Sequence, residues 1–541
     1  MKVVEYIRAA FILRTHMDDG ILRFAGIHVH WLDLSLILLY LLGMILFGLY
    51  YGRNMKNARD YFLAGRSLPW WVIGMSIIGS NVGSNDYVGA AGGAYEIGIA
   101  QANFEWIGAI PAMILAAFIF VPYYWRAGVY SVPEYLGLRY NQPVRMISGI
   151  ILSLFSVFII GIYLWATATM LETYLGLTPA AGILITAVVV GVYTISGGLA
   201  AVAISDTVQL VIMFVGGIAL AVLGIAHVGG LEAFWEKLST QSPEHLHAFL
   251  PADHEQFPWP GVLLGLGIVL SPAYWCANQV ILQRTLAARS QWDGQASMIF
   301  AAFAKTMVPF LIVLPGFIAL ILYGDTLDHQ DQALPAIIKA VLPPGLSGIL
   351  FVAFIAALQS SVDSTLNATS VMMTRDIWGV FENRFAETGP DLIHDEHDSA
   401  GAERSIREMV RGKLITFSVL LIAVAFAFSI DAVKDSGIYA FVQLGLSFFQ
   451  GPLFALILMG ILFRRITPMA GLWALVLGVA CAVLLGTVDW PGTGRFNMLY
   501  MAFYSFVFAV LVLFGVSLIT RARSPQSLRN LTIGTTERER H

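Results

Sequence analysis

The run GSNVGSND, residues 79–86, interrupts an otherwise apolar stretch that extends over 69–95. Eight small or polar residues in a row are a poor continuation of a membrane-crossing helix, because backbone groups freed at mid-depth find no water to bond. Such a break is tolerated where it is buried in protein or faces a cavity, so it predicts a discontinuous helix lining a site. Five spans later a second break is expected at SPAYW, residues 271–275, where Pro272 removes a backbone donor. Two broken spans, each heading a set of five helices, predict an inverted repeat with a substrate site at the repeat interface.

Composition agrees with a protein of the bilayer. Of 541 residues, 57% are hydrophobic and 12% charged, about half the charge share usual for soluble domains, and mean hydropathy is +0.74. A soluble enzyme, a disordered chain and a nucleic-acid binder are excluded. The net charge of −4 offers no basic surface to phosphates. Cys276 and Cys481 both lie in apolar runs, too few and too far apart for a disulfide framework or a zinc site.

Windows of about 20 apolar residues place thirteen spans near 32–51, 69–95, 101–123, 145–172, 179–195, 200–227, 261–282, 296–323, 346–374, 412–430, 437–462, 467–487 and 498–520. With residues 1–30 outside, alternate loops hold 22 basic residues, Arg284 and Arg289 among them, against four in the opposite loops. This positive-inside bias predicts a multi-pass protein of the plasma (inner) membrane, N-terminus outside and C-terminus cytoplasmic. The four basics of the N-terminal segment are the exception. No cleavable signal peptide is read there. The expected organisation is an extracytoplasmic segment 1–30, a pre-core helix 31–51, a first repeat 69–227, a second repeat 261–462, two post-core helices 467–520 and a cytoplasmic tail 521–541. His394, Asp395, Glu396, His397 and Asp398 resemble a metal cluster but read as a solvated loop with no assigned function.

Five charges stand out at bilayer depth: Asp86, Glu105, Asp206, Lys305 and Asp363. Each costs at least roughly 2.5–3.5 kcal/mol on insertion scales, so charges of this kind line cavities or bind ions. In SSVDSTLNATS, residues 360–370, Ser360, Asp363 and Ser364 share a helical face, and Ser361 is turned about 100° away. Hydroxyls and a carboxylate converging at low dielectric suit a small hard cation such as Na+.

At these residues the chain resembles the sodium:solute symporters, most closely their sodium/sugar cotransporter branch. The motifs are YFLAGRSLPWW (61–71), GSNVGSNDYVG (79–89), FEW (104–106), YTISGGLAAVAISDTVQ (193–209), YWCANQVILQRTLAAR (274–289), AKTMVPFLIVLPG (304–316) and AALQSSVDSTLNATS (356–370). The resemblance implies an all-α polytopic fold, a leucine-transporter-like 5+5 inverted-repeat core with a discontinuous first helix in each repeat. It implies a shared sodium site made by backbone carbonyls of Gly79, Val82 and Ala357 with the hydroxyls of Ser360 and Ser361. A second sodium site would use Asp206, Ser360, Asp363 and Ser364; relatives with two ions usually carry serine where Asp363 stands. Two sodium ions are the expectation.

The branch's substrate positions match Asn81, Glu105, Ser271, Tyr274, Trp275, Lys305 and Gln443. Asp86 departs from it, standing where sugar-transporting relatives have glutamine or histidine. It is counted with the substrate positions and is expected to pair with Lys305 when the pocket is empty. Tyr274 corresponds to an inner gate, and Phe104 and Tyr439 to the outer lid. Amide, carboxylate and ammonium groups around an aromatic platform suit a neutral sugar or polyol, whose hydroxyls both donate and accept. The implied activity is sodium-coupled import by alternating access. Alternatives are a symporter for sialic acid, inositol or an amino acid, and a non-transporting sensor or channel. Enzymatic chemistry is not expected, since no HExxH, nucleophile-elbow or GxxxxGK[ST] run occurs.

Overall fold

The structure, a computed structural model, describes residues 21–24, 27–83, 89–255, 257–324, 326–327, 329–343, 345–382, 399–430, 438–491, 495–533 and 535. The cluster at 394–398 and Asp86 lie outside the described residues. Ahead of the first span, β1 (Ile21–Phe24) and β2 (Ile27–His30) pair as an antiparallel hairpin, an element the composition did not announce.

All thirteen expected spans fall on helices. They are α1 (Trp31–Gly52), the pair α2 (Trp70–Asn81) and α3 (Ala90–Ile97), α4 (Ile110–Ala127), and, after the short α5 (Val132–Arg139), α6 (Gln142–Leu175) and α7 (Pro179–Val228). The second half holds α8 (Ser271–Ala277) and α9 (Gln279–Leu286), α10 (Gln291–Lys305) and α11 (Val308–Tyr323), α12 (Leu346–Val371), α13 (Ser399–Ala427), α14 (Ile438–Leu462), α15 (Pro468–Thr487) and α16 (Met498–Ile519). Ten of the described helices are individually long and apolar enough to cross a membrane. The broken pair α2/α3, the two spans joined in α7, and α14 account for the difference.

The 50 residues of α7 would measure about 75 Å if straight, more than twice the hydrocarbon thickness. Gly198 divides them, with φ 53° and ψ −154°. A Cβ there would also come within 2.5 Å of the Tyr61 carbonyl. The GG of the 193–209 motif is thus a corner between two spans.

Both breaks exist, one of them displaced. Helix α2 ends at Asn81, and Val82 leaves helical geometry at φ −79°, ψ 71°. The second was expected at 271–275, yet the chain passes Pro272 while still helical. Residues Val262–Leu270 just before it form a π-helix, whose wider turns accommodate the missing donor. The break comes instead at Asn278, extended at φ −76°, ψ 123°, whose side chain caps α9 by accepting from the Val280 amide at 2.8 Å.

One end of the bundle is built from buried basic residues. Arg139 donates to the carbonyls of Gly460, Phe463 and Ile466 at 2.7, 2.8 and 3.1 Å, satisfying groups left open where α14 ends. Arg145 bonds Asp376 at 2.8 Å and lies 3.5 Å from Glu134, while Arg375 reaches Glu134 and Glu408. Burial works against the Glu134 carboxylate, but Arg375, Arg145 and the Tyr130 amide hold it below the usual carboxylate range.

Replacing Gly198 by alanine forces a side chain into a backbone region essentially reserved for glycine and against Tyr61. A loss of about 2–3 kcal/mol is expected, read as a lower thermal unfolding midpoint in detergent; an unchanged midpoint would show that the corner tolerates a side chain.

Candidate functional site

The broken end of α2 lies against the middle of α12. A Cβ on Gly83 would collide with Ser361 Oγ and lie 3.7 Å from the Ala357 carbonyl, so backbone just past Val82 meets the positions expected to hold an ion. Ser361 Oγ donates to Ala357 O at 3.2 Å. Ser360 Oγ points elsewhere and donates to Asp206 Oδ1 at 2.5 Å. Of the first expected sodium set, Ser361 and the Ala357 carbonyl therefore meet the broken end of α2, a helix whose last carbonyls have no intrahelical donor, while the Ser360 hydroxyl is turned to Asp206.

Asp206 is fully buried eight residues past the corner at Gly198. A Cβ on Gly79 would sit 2.9 Å from the Asp206 carbonyl. This close crossing of α2 and α7 lets Ser76 and Ser80, four residues apart on one face, donate to Asp206 Oδ2 at 2.5 and 3.0 Å. The second expected set is also assembled: Ser364 Oγ lies 2.9 Å from Ser80 Oγ and donates to Asp363 Oδ1 at 2.9 Å. Tyr193 OH donates to Asp363 Oδ2 at 2.5 Å.

Arg284 occupies the centre of this second set. Its guanidinium pairs with Asp206 at 3.0 Å, donates to Ser76 Oγ at 2.6 Å, and bonds Ser80, Ser364 and the Val280 carbonyl. Counted from sequence as a loop residue, Arg284 is 1% exposed. Placing Asn278 at the break draws α9 inward and carries its arginine with it. Among the described residues Arg284 is the one cation within hydrogen-bonding reach of either carboxylate, and it touches Asp206, not Asp363.

Glu105 and Lys305, 5% and 1% exposed, form an ion pair with each other. That answers the absence of a sequence-near partner for either, and Lys305 has its counter-charge without Asp86. Lys305 Nζ also lies 5.8 Å from the centre of the Trp275 ring. Tyr274 stands edge-on to Trp275 at 5.2 Å, and its hydroxyl accepts from Asn81 Nδ2 at 3.2 Å. Asn81 Oδ1 is buried without a partner among the described residues. Ser271 Oγ would lie 2.7 Å from a Cβ on Gly108, which places it beside the turn after Glu105. Tyr439 and Gln443 fall on α14, with their side chains outside what is described.

A cavity open to solvent runs from Ser361, Ser80 and Tyr274 toward the basic end past Asn278, Ser156 and Gln450. Glu105, Lys305 and Trp275 do not line it; Tyr274 is the residue that belongs to both groups. At the opposite end, the Phe104 ring packs 5.0 Å from Phe257, and Asn103 bonds the Ala248 carbonyl at 2.6 Å.

Sequence reasoning missed Ser76, Tyr193 and Arg284. Ser76 and Tyr193 stand within quoted motifs or one turn from them and carry no charge to flag them. Arg284 was counted as a loop charge because it falls two residues past the expected span 261–282.

This arrangement is that of a multi-pass membrane protein with the leucine-transporter fold, its oxygen-rich centre enclosed by two interrupted helices. The chain belongs to the Sodium:solute symporter family, which matches residues 61–478. It is 30% identical to Sodium/glucose cotransporter 1 of Oryctolagus cuniculus over 542 residues, covering 90% of this chain and 79% of that one. It is 34% identical to the Sodium/glucose cotransporter of Vibrio parahaemolyticus over 382 residues, 64% of this chain and 69% of that one. In three dimensions it resembles a Na+-coupled sialic acid symporter solved in a substrate-bound outward-open state, with TM-score 0.78, 19% identity, and 91% and 98% of the two chains covered. The protein is a sodium-coupled symporter.

Removing Arg284 alone leaves Asp206 buried and unpaired. Arg284→Ala is expected to cost about 3–5 kcal/mol, and the double variant Asp206→Asn, Arg284→Met clearly less than the sum of the single changes. Thermal unfolding of the purified proteins measures both; additive losses would mean the two side chains are not coupled.

Proposed function

We propose that this symporter imports a neutral sugar or polyol with one sodium ion per cycle. The supporting observation is the meeting of the α2 break with Ser361 on α12, beside Ser360 bonded to Asp206. Sodium binds to the carbonyls of Gly79, Val82 and Ala357 and the hydroxyls of Ser360 and Ser361, a ligand set of neutral oxygens suited to a hard cation.

Ligand availability sets the count. Asp206 and Arg284 form a buried ion pair, and Asp363 beside them takes hydrogen bonds from Tyr193 and Ser364. The coordination that a second ion would need from Asp206 and Ser364 is already given to Arg284. One ion moving down about −100 mV and a tenfold gradient supplies roughly 3.7 kcal/mol, enough to concentrate a neutral solute by just under about three decades.

The sugar is held above Tyr274 by Asn81, Glu105, Ser271, Trp275 and Lys305, with Asp86 and Gln443 assigned to the same pocket. Its hydroxyls exchange with the Glu105–Lys305 pair and bond the Asn81 amide, and its apolar face lies on Trp275. The relatives named as sodium/glucose cotransporters support this substrate class. With the basic end cytoplasmic, the cavity beyond Tyr274 is the inward exit and the Phe104–Phe257 contact closes the outer side. Tyr274 is then the inner gate, Phe104 and Tyr439 belong to the outer lid, and the N-terminus is outside.

Proteoliposomes under a sodium gradient test this with radiolabelled hexoses, inositol and sialic acid. Sodium-dependent uptake of a hexose or inositol with one charge per solute is expected. Two charges per solute would overturn the single-ion count, and uptake confined to sialic acid would overturn the substrate class. Ser361→Ala should raise the half-saturating sodium concentration by about tenfold or more; an unchanged value would remove Ser361 from the ligand set.

A further inference from the structure

The helix that carries the sodium ligands on its middle turns, α12, starts from a residue with no side chain to cap it. Its N-cap is Gly345, at φ 89°, ψ −51°. The first amides of a helix need acceptors, usually supplied by a serine, threonine or aspartate at the cap itself. Here the acceptor comes from another helix. Asp33, in the first turn of α1 and 3% exposed, accepts from the Gly345 amide at 2.6 Å and the Gly348 amide at 3.0 Å through Oδ1. Its Oδ2 accepts from Ser347 Oγ at 2.9 Å and from Tyr174 OH at 3.4 Å.

One carboxylate thus reaches both the N-cap amide and the N3 amide, the two donors that a capping box satisfies with two side chains of its own chain segment. The approach is close by construction: a Cβ on Gly348 would stand 2.5 Å from Asp33 Oδ1. From α6, Tyr174 stacks on Phe351 of α12 at 4.0 Å and 14°, so the junction ties three helices together. Its negative charge also faces the positive end of the α12 dipole.

We propose that Asp33 is a positioning residue for the sodium site, acting through α12 without touching the ion. Ser360 and Ser361 lie fifteen and sixteen residues along from the cap, roughly 22–24 Å down a stiff rod. Its anchored end fixes the height and rotation at which those hydroxyls meet the α2 break. This inference rests on the sodium site proposed above, and it gives α1, which lies ahead of the broken-helix core, an indirect part in ion binding.

The test uses the full-length purified protein and reads sodium half-saturation from sodium-dependent thermal stabilisation, with choline as control, so that no transported solute is needed. Asp33→Ala should raise the half-saturating sodium concentration about three- to tenfold, and Asp33→Asn, which keeps an acceptor, by less. Gly348→Ala, which displaces the intact carboxylate, should shift it in the same direction and is the variant to read if Asp33→Ala does not fold. Amides at 345–349 should exchange faster in all three. In proteoliposomes, solute half-saturation at saturating sodium should stay unchanged, a split that general loosening of the fold would not give. A wild-type protein with no sodium response would overturn the sodium site and this inference together. A wild-type response that is the same in Asp33→Asn and Gly348→Ala would overturn this inference alone.

Discussion

A carboxylate removed from water must be surrounded, and the surroundings of Asp206 hold the molecule together. Carried on α7, it takes hydrogen bonds from Ser76 and Ser80 on α2, from Arg284 on α9 and from Ser360 on α12. Two of these helices belong to the first half of the chain and two to the second. Because an unpaired charge here would cost several kcal/mol, the four helices are obliged to meet at one point. The close crossing at Gly79, the corner at Gly198 and the break at Asn278 are the local geometry that brings them there.

Much of this was legible from the chain alone. Thirteen apolar windows, a polar run at 79–86 and the one-face grouping of Ser360, Asp363 and Ser364 led to the right architecture, because hydrocarbon leaves a backbone few choices. The 271–275 break was misplaced for a physical reason: proline removes a donor, but a π-helical approach accommodates the gap, while Asn278, with no rigid signature, ends one helix and caps the next. Arg284 was misread because a basic residue outside an apolar window looks solvated. Only the three-dimensional path of α9 shows that its charge is spent on Asp206. Asp33 lies so near the start of α1 that it passes for an interfacial residue until its partners at Gly345 and Gly348 are seen.

The core treats its charges in two ways. The Asp206 cluster closes one carboxylate on the Arg284 guanidinium and surrounds both with the hydroxyls of Ser76, Ser80, Ser360 and Ser364. The Glu105–Lys305 pair is already even. On the proposed reading these two groups divide the work, the first responding to sodium and the second to the solute, with Asn81 and Tyr274 lying between them. The hydrogen bond from Asn81 to the Tyr274 hydroxyl runs from the end of one broken helix to the segment before the other break, and gives the two halves a direct point of contact.

The internal pairing of Glu105 with Lys305 has a consequence for selectivity. An ammonium or carboxylate solute arriving at this pair meets two charges that already quench each other. Prising the pair apart to hold an ion would strand the opposite charge. A ring of hydroxyls avoids that dilemma, for it can donate to the glutamate and accept from the lysine simultaneously, wedging into the pair without choosing a side. On the proposed reading, discrimination against charged metabolites begins in the resting state of this pair, before any contact with the guest is made.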